Sequence, residues 1–325
     1  MADRPASLTR SIAAGAALVA VASGSFAAER YPTKPIRCVI NASPGGAPDI
    51  LARALGQKIT ASTGQQVVVD ARPGAGGVIA GEIVARAPPD GYTVVLAGAA
   101  LFGALPATRR NLPFDPFRDF SPITLVAESP NVLVINPALP ARSVGELIEL
   151  AKAKPLLYAS TGVLTPSHLA GELLNVLAGI KIGHVPYKGA GPALADVVSG
   201  QVHLLLTTPL SALGHIQSGR LRALAVTASK RIPLLPDLPT VGETVAGYEI
   251  TQWWGLLVPA QTPAAVKKVL HQETVKALAA PDLRERFAAM AATPGGGAPQ
   301  ELSAFMQREL ERTRRIVKQA GIPVE

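Results

Sequence analysis

The sequence predicts an α/β fold of two domains linked by two interdomain crossovers. Short runs rich in Val, Ile and Leu alternate with stretches of helical periodicity through Gly- and Pro-rich turns, the pattern of strands and helices wound around a largely parallel sheet. The alternation starts afresh after an irregular Pro-rich segment at 102–122, and two long extended apolar stretches, 123–135 and 248–258, flank the second series. A chain of 325 residues also exceeds the size at which one hydrophobic core usually stops growing.

Residues 1–27 have a polar start with Arg4 and Arg10, an apolar stretch at 12–22 and small residues at Ser25 and Ala27, the layout of an export signal cleaved after Ala27. The apolar stretch is about half of the roughly 20 residues that a spanning helix needs. A strand at 36–41 follows, then the turn Ser43-Pro44-Gly45-Gly46 and a helix whose apolar positions Ile50, Leu51, Ala54, Leu55 and Ile59 recur at 3.6-residue spacing. A strand at 66–70, a Gly-rich turn at 72–77, a helix through Ala87 and a strand at 93–96 complete the first series. The stretch at 123–135, broken by Glu128-Ser129-Pro130, carries the chain into the second domain. There the expected order is helix 144–152, strand 156–160, helix 167–177, strand 183–187, helix 192–199, strand 202–207, a helix or turn at 210–218 and strand 223–227. The return at 248–258 leads to helices at 263–279, 282–289 and 299–320. The first domain is therefore expected to comprise 28–127 plus 251–325, and the second 128–250. Their cleft would be lined by turns at the carboxyl ends of parallel strands.

Composition excludes several classes. One Cys rules out a disulfide framework or a Cys-based zinc cluster, and Cys38, in an apolar run, reads as a packing residue. The net charge of +8 is scattered. Its one dense cluster, Arg308, Arg312, Arg314, Arg315 and Lys318, alternates with Glu309 and Glu311 at helical spacing, as a solvated helix face does, so no nucleic-acid partner is expected. The five His residues lie far apart, so no metal site is expected. Residues 74–79 fail the dinucleotide fingerprint because Ile79 stands at the third glycine, and no cofactor is expected. No later segment is apolar and unbroken enough to span a membrane, so the mature chain is expected to be soluble.

Two strand-to-helix turns could hold an anion. In the first, Ser43, Gly45, Gly46, Ala47 and Asp49 combine glycines that let backbone N–H groups approach closely with a helix start that favours negative charge. The bland alternative is an ordinary tight turn. In the second, Ser160, Thr161, Gly162, Thr165, Ser167 and His168 concentrate hydroxyls beside free amides, a neutral cradle for a carboxylate. A Ser/His hydrolase is the competing reading, but Ser167 and His168 are adjacent on a helix and point about 100 degrees apart, with no G-x-S-x-G elbow. His168 reads equally well as a structural residue. In the pair Trp253-Trp254 one ring can pack while the other walls the cleft, and Trp253 is the ligand-wall candidate.

The motifs Tyr31-Pro32-x-Lys34-Pro35-Ile36-Arg37, Pro44-Gly45-Gly46-x-x-Asp49, Arg72-Pro73-Gly74-Ala75-Gly76-Gly77 and Pro89-Asp90-Gly91-Tyr92-Thr93 resemble the substrate-binding proteins of tripartite tricarboxylate transporters, the Bug or TctC-like family. So do Pro166-Ser167-His168-Leu169-Ala170-Gly171-Glu172, His184-Val185-Pro186-Tyr187-Lys188-Gly189, 221–227 and Leu238-Pro239-Thr240-Val241, collinear over nearly the whole mature chain. The resemblance implies a two-domain periplasmic-binding-protein fold, flytrap and type II-like, and a monomeric, non-enzymatic periplasmic protein. It would close on a small organic acid and deliver it to membrane permease subunits, or serve as the ligand-loaded partner of a sensor. It implies that the turns at 43–49 and 160–167 hold a carboxylate, with Tyr187, Thr207 and Thr208 in the site. Ala42 and Pro48 depart from the family's usual residues, and Thr207-Thr208 stand where an Asp commonly ends the strand, so the far pocket is expected to take an anionic or neutral aromatic ligand rather than an amino acid.

Overall fold

A computed structural model describes Met1 and residues 31–324. The predicted export signal, Met1 apart, lies outside the described residues. The chain forms β1 (Ile36–Ile40), α1 (Ala47–Thr63), β2 (Val67–Ala71), α2 (Val78–Ala85), β3 (Thr93–Gly98), α3 (Leu105–Thr108) and β4 (Phe120–Pro130). The second series is β5 (Val132–Ile135), α4 (Val144–Ala153), β6 (Leu157–Ser160), α5 (Pro166–Ala178), β7 (Gly183–Pro186), α6 (Ala190–Val198), β8 (Leu204–Thr207), α7 (Pro209–Gln217) and β9 (Arg222–Val226). The last third adds β10 (Thr251–Pro259), α8 (Ala264–Leu278), α9 (Pro281–Ala289), β11 (Thr293–Pro294) and α10 (Pro299–Gln319).

The strands assemble into a six-stranded sheet ordered β11-β4-β10-β3-β1-β2 and a five-stranded sheet ordered β7-β6-β8-β5-β9. β3, β1 and β2 are parallel, as are β7, β6 and β8. The sheets are nevertheless mixed, which corrects the expectation of a largely parallel arrangement: β10 runs antiparallel to β3 and β4, and β5 runs antiparallel to β8 and β9. The cause is topological. The outgoing strand β4 and the returning strand β10 lie side by side, so they must run in opposite directions.

Burial explains the sequence pattern. Every residue of β5 is buried; Val132 and Val134 join one cluster with Ala159 and Leu205, while Leu133 and Ile135 join another with Tyr158 and Leu204. A strand covered on both faces reads as a continuous apolar run, which is why 132–135 shows no alternation. In the first lobe Val39, Val95, Phe102, Trp253 and Met306 share a core. The segment expected to be irregular from 102 onward begins inside a π-helical turn, Ala99–Ala104, followed by α3, and Phe102 packs edge-on against Phe120. Cys38 is buried, and burial pushes its thiol up to about 12, in keeping with a packing role.

Glu128-Ser129-Pro130 continue β4, and Asn131 is the single residue between β4 and β5. Asn131 is fully buried and exchanges bonds with the return path: its N–H donates to Thr227 Oγ1 at 2.8 Å, Thr227 N–H donates to its carbonyl at 2.9 Å, and Gln252 Nε2 donates to its Oδ1 at 2.8 Å. α10 runs across both lobes: Leu302 and Met306 belong to the first core and Ile316 to the second.

Candidate functional site

The turns that follow β6, β7 and β8, three neighbouring strands, gather at one edge of the second sheet. Ser160 closes β6 and is fully buried; its hydroxyl donates to the Gly162 carbonyl at 3.0 Å and meets His184 Nε2 at 2.6 Å. Gly162 takes φ +146°, open to glycine but not to bulkier residues. Thr165 caps α5, its Oγ1 accepting from His168 N–H at 3.4 Å and donating to the Gly162 carbonyl at 2.7 Å. Thr161 Oγ1 donates to Thr165 Oγ1 at 3.2 Å, and Thr161 N–H reaches Ser167 Oγ at 3.4 Å. Ser167 turns inward and donates to the Leu206 carbonyl. Tyr187 N–H bonds back to the Ser160 carbonyl at 3.0 Å, while its hydroxyl donates to Asp196 at 2.6 Å; burial and then that bond push the phenol up to about 12. Thr207 is buried at the end of β8, and Thr208 caps α7 through Ser211 N–H.

Behind this turn lies a stack that sequence spacing did not reveal. His184 stacks on Tyr158 and on His168, ring centroids 4.9 and 4.0 Å apart, and Tyr158 OH donates to Glu172. His168 Nδ1 accepts from Leu164 N–H at 3.1 Å, so its proton sits on Nε2, 3.8 Å from Glu172. Burial pushes His168 down to about 4; burial and then the neighbouring His168 do the same to His184. Both imidazoles are neutral at pH 7. The signal was present but non-local: Tyr158 and His184 are register partners on β6 and β7, and His168 and Glu172 lie four apart on α5. Neither Ser–His pair offers an accessible nucleophile, since Ser160 and Ser167 are buried and their hydroxyls are committed to backbone carbonyls.

In the first lobe the turn between β1 and α1 carries its own anion. Asp49 Oδ2 accepts the Gly45 N–H at 2.9 Å and its other oxygen accepts from Arg53 Nε at 2.9 Å. The Arg53 bond holds the Asp49 carboxyl below the ordinary range, with burial opposing. Ser43 and Gly45 are exposed, Gly46 stands at the α1 N-cap, and Ala47 opens the helix. Asp49 therefore organises this turn by occupying one of its N–H groups.

The two lobes meet around a cavity of about 350 Å³. Gly76, Ala100 and Leu105 line it from the first lobe, Val163, Leu164 and Thr165 from the second, and Ile322 from the C-terminal segment. Of the sequence-derived candidates, Thr165 lines this cavity; Val163, Leu164 and Arg109 were missed because apolar loop tips and a lone Arg give no local signal. Trp253 is corrected: it is 1% exposed, stacked with Phe102 and edge-on to Phe305 in the first core, so it forms no cleft wall. Trp254 is buried as well. A larger cavity of about 610 Å³ lies at the C-terminal end of α7 beside 234–238, away from the strand-end turns. Among the described residues no cluster of His, Cys, Asp or Glu could hold a metal ion, and no helix is long and apolar enough to cross a membrane.

The model of the tripartite tricarboxylate transporter family receptor matches residues 51–322. A Pseudomonas sp. (strain P51) protein of the UPF0065 group, from the tcbD-tcbE intergenic region, is 38% identical over 315 residues, covering 95% of this chain and 93% of that protein. Rhodopseudomonas palustris Rpa4515, solved with adipate, superposes with a TM-score of 0.83 at 34% identity, covering 90% of this chain and 99% of that one. The periplasmic binding protein BugD gives 0.79 at 33% identity, covering 90% and 99%. MatC of R. palustris, solved with malate, gives 0.78 at 28% identity, covering 88% and 100%.

Proposed function

Because this chain belongs to the tripartite tricarboxylate transporter receptor family, we propose that it is an exported periplasmic solute-binding protein that captures a small organic acid between its lobes. We assign residues up to Pro130 and from Thr251 onward to one lobe, and the stretch between to the other. The observation that carries the reading is the convergence of strand-end turns from both lobes on one cavity, with two strand crossings among the described residues, after β4 and before β10, to act as a hinge. The second-lobe turn at 160–165 leads into the start of a 13-residue helix, whose N-terminal end favours a carboxylate without a buried counter-charge. Lobe closure over the acid, followed by hand-over to membrane permease subunits, fits this layout; the chain acts as a monomer and performs no turnover. The adipate and malate complexes of the two R. palustris relatives support the ligand class.

The experiment is calorimetric titration of the purified mature chain with C4 to C8 carboxylic acids, with mass spectrometry of the recovered ligand. Saturable binding of at least one acid, recovered unchanged, is expected, with a rise in Tm. Consumption of the acid, or no binding across the series, would sink the reading.

A further inference from the structure

The second sheet stops at β9, and a gap lies where a further strand could pair. Among the described residues the outer edge of β9 is joined at one point, where Val226 N–H donates to the Pro239 carbonyl at 2.9 Å and Val226 bridges Thr240 in parallel. Going back from Thr240, the covering segment carries Pro239, Pro236 and Pro233, which have no N–H to donate and so cannot continue a ladder. Strand and segment part, and the cavity of about 610 Å³ opens between 221–223 and 234–238. Leu221, Arg222 and Ala223 all line it; side chains alternate along an extended chain, so the cavity faces the edge of β9 and not one face of the sheet. It lies at the opposite end of the sheet from the strand-end turns, because Ile135 pairs there with both Leu204, the first residue of β8, and Arg222.

The lining is apolar at Ile216, Leu221, Leu234, Leu235 and Leu238, and it holds one cation and one anion. Arg222 is fixed in place, its Nη1 donating to the Ala141 carbonyl at 2.9 Å and toward the Leu139 carbonyl at 3.4 Å. That leaves Nε and Nη2, the side-on fork that takes a carboxylate. Asp237 lines the same cavity from the covering segment and is exposed; among the described residues no ion pair joins it to Arg222. Arg231, whose charge also reaches Asp237, is itself bonded to Glu243. An occupant that satisfies this lining carries opposite charges at its two ends, apolar side chains between them and a backbone able to lie along a strand edge.

We propose that this gap is a second ligand site, separate from the interlobe cavity, for a short apolar peptide with free termini. The peptide lies extended beside β9, its carboxylate on Arg222, its ammonium on Asp237 and its side chains against Leu221, Leu235 and Leu238. The volume falls within the roughly 300–1,000 Å³ of small-ligand sites, and a peptide of about three residues, roughly 10 Å long when extended, suits it.

The test is calorimetric titration of the mature chain with the tripeptide Leu-Ala-Leu, with the same peptide acetylated and amidated at its ends, and with Ser-Ala-Ser, in the parent and in Asp237→Asn and Arg222→Gln. Leu-Ala-Leu is expected to bind one to one, with the blocked peptide and Ser-Ala-Ser about tenfold or more weaker. Each variant is expected to weaken Leu-Ala-Leu about tenfold and to leave the blocked peptide's affinity as it was. Asp237 is exposed, so its variant tests the charge even if Arg222→Gln, which also gives up the bonds to two carbonyls, fails to fold. Failure of Leu-Ala-Leu to bind, or an affinity unmoved by Asp237→Asn, would overturn the site. Equal affinity for the free and blocked peptides would overturn it as well, since the gap would then take an internal segment of a partner protein.

Discussion

His168 and His184 are two residues through which pH acts on this fold. Both are neutral when folded, with values near 4 against 6.5 for an exposed imidazole, so acid protonates the unfolded chain first. The stability they contribute is fully present above pH 6.5 and is lost as pH falls toward 4. For His168, whose side chain is 8% exposed, the loss between neutral pH and pH 5 is roughly 2 kcal/mol at about 1.36 kcal/mol per pK unit. Scanning calorimetry should show Tm falling across that window, with the fall reduced in His168→Gln; a flat profile from pH 7 to 5 would mean that the stacked imidazoles are not held neutral by burial. Acid should also loosen the turn at 160–165, because the His168 Nδ1 that becomes protonated is the acceptor for Leu164 N–H.

At the level of elements, α5 depends on one side chain that also shapes the site. Thr165→Ala removes the cap on His168 N–H and the bond to the Gly162 carbonyl, and should cost about 1 kcal/mol in denaturant unfolding, with Thr165→Ser retaining most of it. Helices and inner strands of this kind were legible in the sequence because their signals are local: Pro166 and Pro209 in first helical turns, apolar spacing of 3.6 in α1, unbroken apolar runs in β5 and β8. What was not legible depended on partners distant in the chain. The antiparallel placement of β10 follows from where it re-enters the sheet, and Trp253 belongs to the core because Phe102 and Phe305, far away in sequence, close over it. The π-helical turn at Ala99–Ala104 hides behind composition that reads as loop. Of the cavity between the lobes, Thr165 belongs to a turn whose hydroxyls mark it in the sequence, whereas the apolar lining at Val163 and Leu164 could be recognised only once the opposite lobe was in view.

At the scale of the whole molecule, Asn131, Thr227 and Gln252 form a hydrogen-bonded clasp between the start of β5, the end of β9 and β10. Asn131 Nδ2 is buried without a partner, so the clasp is already one bond short of full satisfaction. Thr227→Val would leave the Asn131 N–H unpaired as well, at a cost of roughly 1–3 kcal/mol. Chemical denaturation should register that loss, and small-angle scattering of the unliganded variant should show a broader range of lobe separations than the parent. An unchanged midpoint would show that the crossing is held by strand pairing alone. Arg109, Arg110, Arg118 and Arg314 line a common cavity, with Arg118 paired to Asp119.

The position of β10 has a consequence for the order in which the molecule can come into being. It is the strand that joins β3 to β4, so the halves of the first sheet have no common neighbour until residues 251–259 exist. The second sheet is built from 132–226 without interruption and can close while the chain is still growing. A chain stopped short of β10 would thus carry one finished sheet and one set of open strand edges, and the cavity between the lobes would be the last feature to form, appearing when α10 lies down across both.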